Sequence, residues 1–335
     1  MPVMVINKTT TAIVIGLSLS SYSVEAEAPQ EDRIDVAEAV DPMVLHGAQS
    51  SAAIFQAGTL PRIAGGLYEI SRPTTYADGY RYSQNVGSPS FPLCQPVANF
   101  ASEVSAALCS GVLVSRRWVA TAGHCADNEA LLEPPSAPMR VVFGFRNVRP
   151  TSPDAQPSAA PTEFPQSHVY DVVAALVGRP PSVSQASRWD WALLQLDRDV
   201  DPAVAVVADM RRSGVIEVGT PVVIHSHPHG LALKYQKATV SNSGLSAPNQ
   251  LDRGFFTLGG SRSYKASSGG GAFNASTGEL EGILTTGPAE MELDQSKEPQ
   301  CWRLCVPKPG TADTCDRAEV LRIDIIRRFL SLVQQ

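Results

Sequence analysis

The segment 109–125, CSGVLVSRRWVATAGHC, contains two short apolar runs and ends on a histidine followed by a cysteine. The runs SGVLVS and RWVATA have the length of β-strands and are rich in β-branched or aromatic residues. Similar runs occupy residues 140–145, 191–196 and 221–226, with turn residues between them. Because no amphipathic helix separates these runs, the sequence predicts an all-β sandwich or barrel.

Only the C-terminal end of the sequence has the periodicity of a helix. The stretch 317–333 is RAEVLRIDIIRRFLSLV. One apolar stripe along it consists of Leu321, Ile325, Phe329 and Leu332, with Ile326, Leu330 and Val333 beside it. We expect this helix to pack on the β body. The segment 149–166 is rich in proline and small residues, which predicts an exposed loop.

Composition and charge restrict the class of partner. The chain has 335 residues, 43% of them hydrophobic and 18% charged, as is typical of a globular protein. Its net charge of -6 argues against nucleic acid or an anionic membrane surface as a partner. No apolar run approaches the roughly 18–20 residues that cross a bilayer. We expect no cofactor, and nothing in the sequence requires more than a monomer.

The N-terminus has the features of an export signal. Lys8 precedes the short apolar run 11–22, and small residues at 24–28 would allow cleavage after Ala26. The alternative is a strand or core helix at the start of the fold. We expect a signal peptide at 1–26, a polar leader or propeptide at 27–62, and a secreted protein, extracellular or periplasmic.

The cysteines agree with export. An even number of cysteines in an exported chain favours disulfides over metal thiolates. The six are Cys94, Cys109, Cys125, Cys301, Cys305 and Cys315. The last three could mimic part of a zinc site, but no fourth ligand lies at a matching spacing. We therefore expect no metal there.

The segment 265–273, KASSGGGAF, suggests a nucleophile in a tight turn. A serine hydroxyl is a weak nucleophile and needs a base, a group that orients the base, and donors for the oxyanion. His124 follows a β run, and Asp190 begins the apolar run WALLQL, so both are candidates. Each could instead be structural: a histidine beside a disulfide, a strand-end carboxylate, a serine in a glycine loop.

These motifs together resemble the trypsin-like (chymotrypsin-fold) serine proteases, and more closely the secreted bacterial branch related to glutamyl endopeptidases. The matching segments are 109–125, DWALLQLD at 190–197, SHPHGLALKYQKATV at 226–240 and SSGGGAF at 267–273. The resemblance implies two packed antiparallel six-stranded β-barrels with a C-terminal α-helix. The protease domain would span 63–335, with the first barrel at about 63–205, the second at about 206–316 and the helix at 317–333.

The resemblance also implies residue roles for peptide hydrolysis. His124 would be the general base and Asp190 its orienting partner, both from the first barrel, and Ser268 of the second barrel the nucleophile. The oxyanion would be bound by the backbone N–H groups of Ala266 and Ser268. Thr285, Thr286 and Gly287 would run along the substrate backbone, and Cys109 would pair with Cys125. Cys94 would pair with Cys301, Cys305 or Cys315, and the remaining two would close a local loop.

Three positions depart from the family pattern. Ala266 replaces a glycine in the oxyanion turn, and a Cβ there disfavours positive φ. Gly271 replaces a proline. Ser267 stands where trypsin has an aspartate, so trypsin's switch would not operate unchanged. PRIAGG at 61–66 resembles the activation site of trypsinogen, which predicts processing between Arg62 and Ile63 in a zymogen.

The sequence gives little indication of which substrate side chain the primary pocket accepts. Counting back from Ser268 puts Arg262 at the base of the primary pocket, with Lys265 nearby, and a cation there would favour an acidic substrate side chain. Leu284, however, stands where glutamyl endopeptidases have a histidine. We therefore treat acidic preference as one of several possibilities.

Alternatives remain for site and function. Ser267 and Ser261 compete with Ser268 as nucleophile, and the alternating His225, His227 and His229 could hold a metal on one strand face. The preferred interpretation is a secreted serine endopeptidase acting on protein or peptide. The first alternative is a catalytically impaired homologue that acts as a binding module. An esterase would need a G-x-S-x-G elbow, which the sequence lacks.

Overall fold

The computed structural model describes residues 31–78, 91–95, 97–126, 138–148, 159–178, 190–244, 254–287, 291–306, 315 and 317–334. The expected signal peptide, 1–26, and most of the loop predicted at 149–166 lie outside these residues. The strands in chain order are β1 Ile34–Asp35, β2 Ser51–Gln56, β3 Leu67–Glu69, β4 Thr74–Thr75, β5 Val104–Ser105, β6 Cys109–Ser115, β7 Trp118–Thr121, β8 Met139–Phe143, β9 Glu163–Pro165, β10 Val169–Gly178, β11 Trp191–Leu196, β12 Pro221–Ser226, β13 Lys234–Asn242, β14 Phe255–Gly259, β15 Gly271–Asn274, β16 Leu280–Thr286, β17 Met291–Asp294, β18 Cys301–Leu304 and β19 Ala318–Arg322. The α-helices used below are α1 Pro42–Ser50, α2 Gly123–Ala126 and α3 Ile323–Val333.

Most strands belong to two antiparallel barrels. The first closes in the order β10-β11-β7-β6-β2-β8. The second follows β13-β12-β15-β16-β19-β14 and is closed by pairing of β13 with β14, while β1 adds to the outer edge of β13. The predicted fold class, two six-stranded antiparallel barrels with a C-terminal helix, is confirmed.

The run WALLQL of β11 shows why an apolar strand need not alternate in polarity. Ala192, Leu194 and Leu196 point into the core of the first barrel. Trp191 and Leu193 point the other way, into a second cluster shared with the second barrel and α3. Both faces of β11 are therefore buried, and its first residue follows Asp190 at the junction of the barrels.

The start of the first barrel differs from the sequence-based boundary. Strand β2, inside the leader predicted at 27–62, pairs with both β6 and β8. Its residues Ala52, Ala53, Ile54 and Phe55 are buried. The small residues of this segment suggested a leader, but they also fit a tightly packed strand. The first barrel thus begins upstream of residue 63.

The C-terminal helix is shorter than predicted. Residues 318–322 form β19, which pairs with β14 and β16 and completes the second barrel. Helix α3 begins at Ile323, so pairing between strands overrides the helical periodicity of the preceding residues. Within the expected stripe Ile325 is buried and Phe329 packs against the core, whereas Leu332 is 64% exposed. Ile326 and Leu330, expected beside the stripe, are buried. The second barrel therefore extends to residue 322 and not to 316.

In the predicted loop 149–166, Glu163–Pro165 is a strand paired with β3.

Two disulfides lie in the connections outside the barrels. Residues 57–108, here called the insertion, join β2 to β6, and Cys94 within them is bonded to Cys301 of the β17–β18 hairpin. Cys305 and Cys315 close a local loop. Both bonds fall within the pairing set expected from sequence. Among the described helices, none is long and apolar enough to cross a membrane.

Candidate active site

His124 lies in α2, the short helix directly after β7. The adjacent Cys125 is bonded to Cys109 at the start of β6, which ties this helix to the barrel. Gly123 permits a close approach, because a Cβ there would lie 2.9 Å from Oδ1 of Asp190. The sequence Gly-His-Cys therefore places the imidazole at the edge of the first barrel, next to a carboxylate.

Asp190 holds His124 through both of its oxygens. Oδ2 lies 2.7 Å from Nδ1 of the ring, and Oδ1 accepts a hydrogen bond from the backbone N–H of His124 at 2.7 Å. The carboxylate side chain is 17% exposed, whereas the imidazole is 50% exposed. This arrangement fixes the ring orientation and leaves Nε2 for a reacting group.

The loop expected to carry the nucleophile, residues 262–270 and here called the nucleophile loop, passes close to β6 and β7, the strands that precede His124. The N–H of Ser110 in β6 donates to the carbonyl of Ser268 at 2.8 Å. Gly269 has φ +84°, and a Cβ there would meet the Ser110 carbonyl oxygen and Thr121 Oγ1, each at 2.1 Å. Glycine is required because the loop is pressed against β6 and β7 in a left-handed conformation.

Among the three candidate serines, exposure separates Ser268 from the others. Ser261 and Ser267 are both fully buried. Ser268 is half-buried. The Ser267 hydroxyl accepts a hydrogen bond from Ser226 at 3.1 Å. The hydrogen bonds of the described residues do not include one between Ser268 Oγ and Nε2 of His124; such catalytic bonds often tighten only when substrate binds.

The oxyanion turn has an unusual backbone. Ala266 has φ +64°, which is uncommon for a residue with a Cβ. The turn is closed by a hydrogen bond from the N–H of Ser267 to the carbonyl of Tyr264 at 2.9 Å. Ser110 Oγ donates to the carbonyl of Ala266 at 2.9 Å. Within the described residues no acceptor pairs with the N–H groups of Ala266 and Ser268, so both can donate to an oxyanion.

The segment expected to run along the substrate backbone, residues 285–287, has little free space beside it. Thr285 is buried and donates to the carbonyl of Glu319 at 3.3 Å, whereas Thr286 is exposed. A Cβ on Gly287 would lie 2.5 Å from the Cβ of Ser263. The strand end 285–287 therefore runs close beside the nucleophile loop.

Arg262 is not a free cation. Its side chain donates to the carbonyl of Cys305 at 2.9 Å and lies 3.3 Å from the carboxylate of Asp32. Arg262 as a whole is 7% exposed. The sequence analysis missed Asp32, since 230 positions separate it from Arg262 and no motif surrounds it.

The expected processing site lies in a turn after β2. Arg62 Nη2 donates to Gln166 Oε1 at 3.0 Å, and the N–H of Ile63 donates to the carbonyl of Leu67 at 2.8 Å. Removal of residues up to 62 would take β2 out of the first barrel.

The three alternating histidines have separate partners. His225 Nε2 lies 2.8 Å from the Val44 carbonyl, and His227 Nδ1 lies 2.9 Å from that of Leu231. The ring of His229 lies against two tyrosine rings, tilted against Tyr76 and edge-on to Tyr264. Burial lowers the pKa of His225 and of His227 to about 4. The potential ligand cluster that occurs in the described part of the chain is Cys109, His124 and Cys125, whose sulfurs form a disulfide.

Known proteins share part of this chain's sequence and structure. Human heparin binding protein is 14% identical, with a TM-score of 0.44 over 67% of this chain and 85% of that chain. A mutant of human heparin binding protein (CAP37) is 14% identical, with a TM-score of 0.43 over 67% and 84%. No curated protein matches the sequence. The sequence model of the Trypsin family matches residues 86–296, more than half of the chain. The chain therefore belongs to the trypsin family of serine proteases.

Proposed function

We propose that this protein is a secreted serine endopeptidase that cleaves protein or peptide substrates through an acyl-enzyme on Ser268. The observation that carries the proposal is the two-point contact of Asp190 with His124, next to a loop in which Ser268 is half-buried while Ser267 is fully buried. Three disulfides support export into an oxidising compartment.

Each triad residue has one chemical task in this proposal. Nε2 of His124 removes the proton from Ser268 Oγ, which attacks the scissile carbonyl carbon. Asp190 keeps the imidazole in the correct tautomer and stabilises its cationic form. The tetrahedral oxyanion accepts hydrogen bonds from the N–H groups of Ala266 and Ser268. His124 then protonates the leaving amine, the C–N bond breaks, and water attacks the acyl-enzyme in the same manner.

The contacts of Arg262 favour a substrate side chain without charge in the primary pocket. Asp32 neutralises the guanidinium, which removes the attraction that an acidic side chain would need. The narrow approach of Gly287 to Ser263 favours a small side chain. We infer a monomeric enzyme of the bacterial glutamyl endopeptidase-like branch with a specificity different from that branch.

Processing between Arg62 and Ile63 stays a prediction. Because β2 is part of the first barrel, this cleavage would nick the chain without releasing residues 51–56. The protease domain that we propose accordingly includes the segment upstream of Ile63.

Fluorophosphonate labelling of the purified protein, read by peptide mass spectrometry, tests the proposal. We expect a label on the peptide that contains Ser268, its loss in Ser268→Ala and its retention in Ser267→Ala, since the Ser267 hydroxyl is buried. The Asp190→Asn variant should lower kcat by about 10³- to 10⁴-fold because the tautomer of His124 would be wrong.

The intact mass in the same experiment would show where the mature chain begins. A folded protein that takes no label, in both the full-length and the nicked form, would contradict the protease proposal. It would favour the alternative, a catalytically impaired homologue that binds other molecules.

A further inference from the structure

We propose that Asp32 is a positioning residue that holds the nucleophile loop in its working conformation, so that the uncleaved N-terminal segment is part of the enzyme. This inference rests on the proposed peptidase function. The N-terminal segment, residues 31–35, enters the second barrel as an extra strand, with β1 paired to β13. It passes directly behind the loop that carries Ser268.

The Asp32 carboxylate receives its contacts from the second barrel. Oδ2 accepts from the backbone N–H of Arg262 at 3.2 Å and from Nε2 of Gln236 at 3.1 Å, and it pairs with the Arg262 guanidinium. Oδ1 accepts a hydrogen bond from the hydroxyl of Tyr264. One carboxylate therefore binds two residues of the nucleophile loop and the strand behind it.

Tyr264 transmits this attachment to the catalytic turn. Its carbonyl accepts the hydrogen bond from the N–H of Ser267 that closes the turn around Ala266. Its ring lies under the guanidinium of Arg33, 4.6 Å from the ring centroid, and against the ring of His229. The N–H of His229 donates to the carbonyl of Lys265 at 2.6 Å. The backbone from 262 to 265 is thus fixed immediately before the oxyanion turn.

The turn needs this support because Ala266 occupies the left-handed region. A residue with a Cβ leaves that region unless surrounding contacts hold it there. If Ala266 relaxes, its N–H rotates away from the position of the oxyanion. In this chain Ser267 carries no charge and is bonded to Ser226, so the contacts of Asp32 on the opposite side of the loop supply the restraint.

The segment itself is firmly anchored. Asp35 forms an ion pair at 2.7 Å with Lys234, which is buried and also binds Glu103 of the insertion. Arg33 is 2% exposed, and its guanidinium lies over the rings of Tyr76 and Phe100 of the insertion. Since these groups are buried, the segment stays docked in the native fold.

The test compares Asp32→Asn with Asp35→Asn in the full chain. Asp35→Asn is a matched control, because it removes a buried carboxylate from the same segment but touches no residue of the nucleophile loop. We expect Asp32→Asn to lower kcat and the fluorophosphonate labelling rate about tenfold with little change in KM, which is the population shift expected for one strained residue. Asp35→Asn should keep both rates within about threefold of wild type.

Rescue distinguishes positioning from general destabilisation. Glycine adopts positive φ without strain, so the double variant Asp32→Asn/Ala266→Gly should recover most of the lost rate. Tyr264→Phe, which removes only the hydroxyl that binds Asp32, should show part of the loss and serves as the test if Asp32→Asn does not fold. Equal rates for Asp32→Asn and wild type, or a loss that Ala266→Gly does not rescue, would overturn the inference. Failure of wild-type protein to label would instead count against the peptidase function itself.

Discussion

At the nucleophile loop, single backbone positions decide whether Ser268 can approach His124. The loop must pass between strands β6 and β7 of the first barrel and β12 of the second. Gly269 has no space for a side chain at 2.1 Å from two oxygens, whereas Gly260, also at positive φ (+78°), has no atom within 4 Å of its Cβ position. Substitution of Gly260 by alanine therefore tests backbone strain alone, whereas the same substitution at Gly269 adds a steric clash.

We expect Gly269→Ala to abolish most activity and Gly260→Ala to retain it. Both substitutions place an alanine at positive φ, which costs about 1–2 kcal/mol. Only the first also drives a methyl group into the Ser110 carbonyl, so the loop must move away from His124. The measurement is the labelling rate of Ser268 together with the free energy of unfolding. Equal labelling of the two variants would contradict the proposed contact between loop and barrel.

Some residues of the site can be predicted from the sequence alone, and others cannot. His124, Asp190 and Ser268 each lie in a local sequence pattern, either a strand end or a glycine-rich turn. Such a pattern can be recognised without knowledge of the fold. Asp32 has no local pattern, and its role depends on a chain segment meeting residues more than 200 positions away. The suggested preference for an acidic substrate side chain takes only the charge of Arg262 into account. The sequence does not show that Asp32 pairs with this charge.

At the level of elements, the five predicted strands are present with small shifts, because their apolar runs match buried faces. Residues 318–322 were predicted as helix and form β19. Their periodicity suits a helix, but a free barrel edge between β14 and β16 supplies backbone partners that an isolated helix turn cannot match. Of the predicted apolar stripe, Ile325 and Phe329 pack on the barrels as expected, whereas Leu332 is exposed.

The packing of α3 against β11 gives a paired prediction. The ring of Phe329 lies 4.4 Å from that of Trp191, the residue after Asp190, while Leu332 on the same helix is exposed. We expect Phe329→Ala to lower the free energy of unfolding by about 2–3 kcal/mol, less than the roughly 3–5 kcal/mol for a core phenylalanine because Phe329 is half-buried. Leu332→Ala should change it by less than about 0.5 kcal/mol. Urea unfolding measures both, and the reverse order would show that Leu332 rather than Phe329 faces the barrels.

For the whole molecule, the buried histidines link stability to pH. His225 lies between α1 and the second barrel, where its ring contacts Phe273, and His227 stacks on Phe145 of the first barrel. Loss of water around the rings lowers both pKa values to about 4, and Lys234 adds to the effect at His227. Both residues therefore stay neutral in the folded protein at a pH where they are protonated in the unfolded chain.

We expect the protein to lose stability between pH 6.5 and pH 5. In this range the unfolded chain binds protons at His225 and His227 and the folded chain does not, so the free energy of unfolding falls as pH falls. At pH 5 the unfolded-state pKa of about 6.5 lies about 1.5 units higher, which corresponds to about 2 kcal/mol for each histidine. Urea unfolding at pH 7.5 and pH 5 measures the difference. His225→Gln, whose amide can still donate to the Val44 carbonyl, should reduce the difference by about 2 kcal/mol, because one titrating group is removed. If wild-type protein is equally stable at both pH values, or the variant keeps the full difference, these histidines are not the groups that destabilise the folded protein in acid.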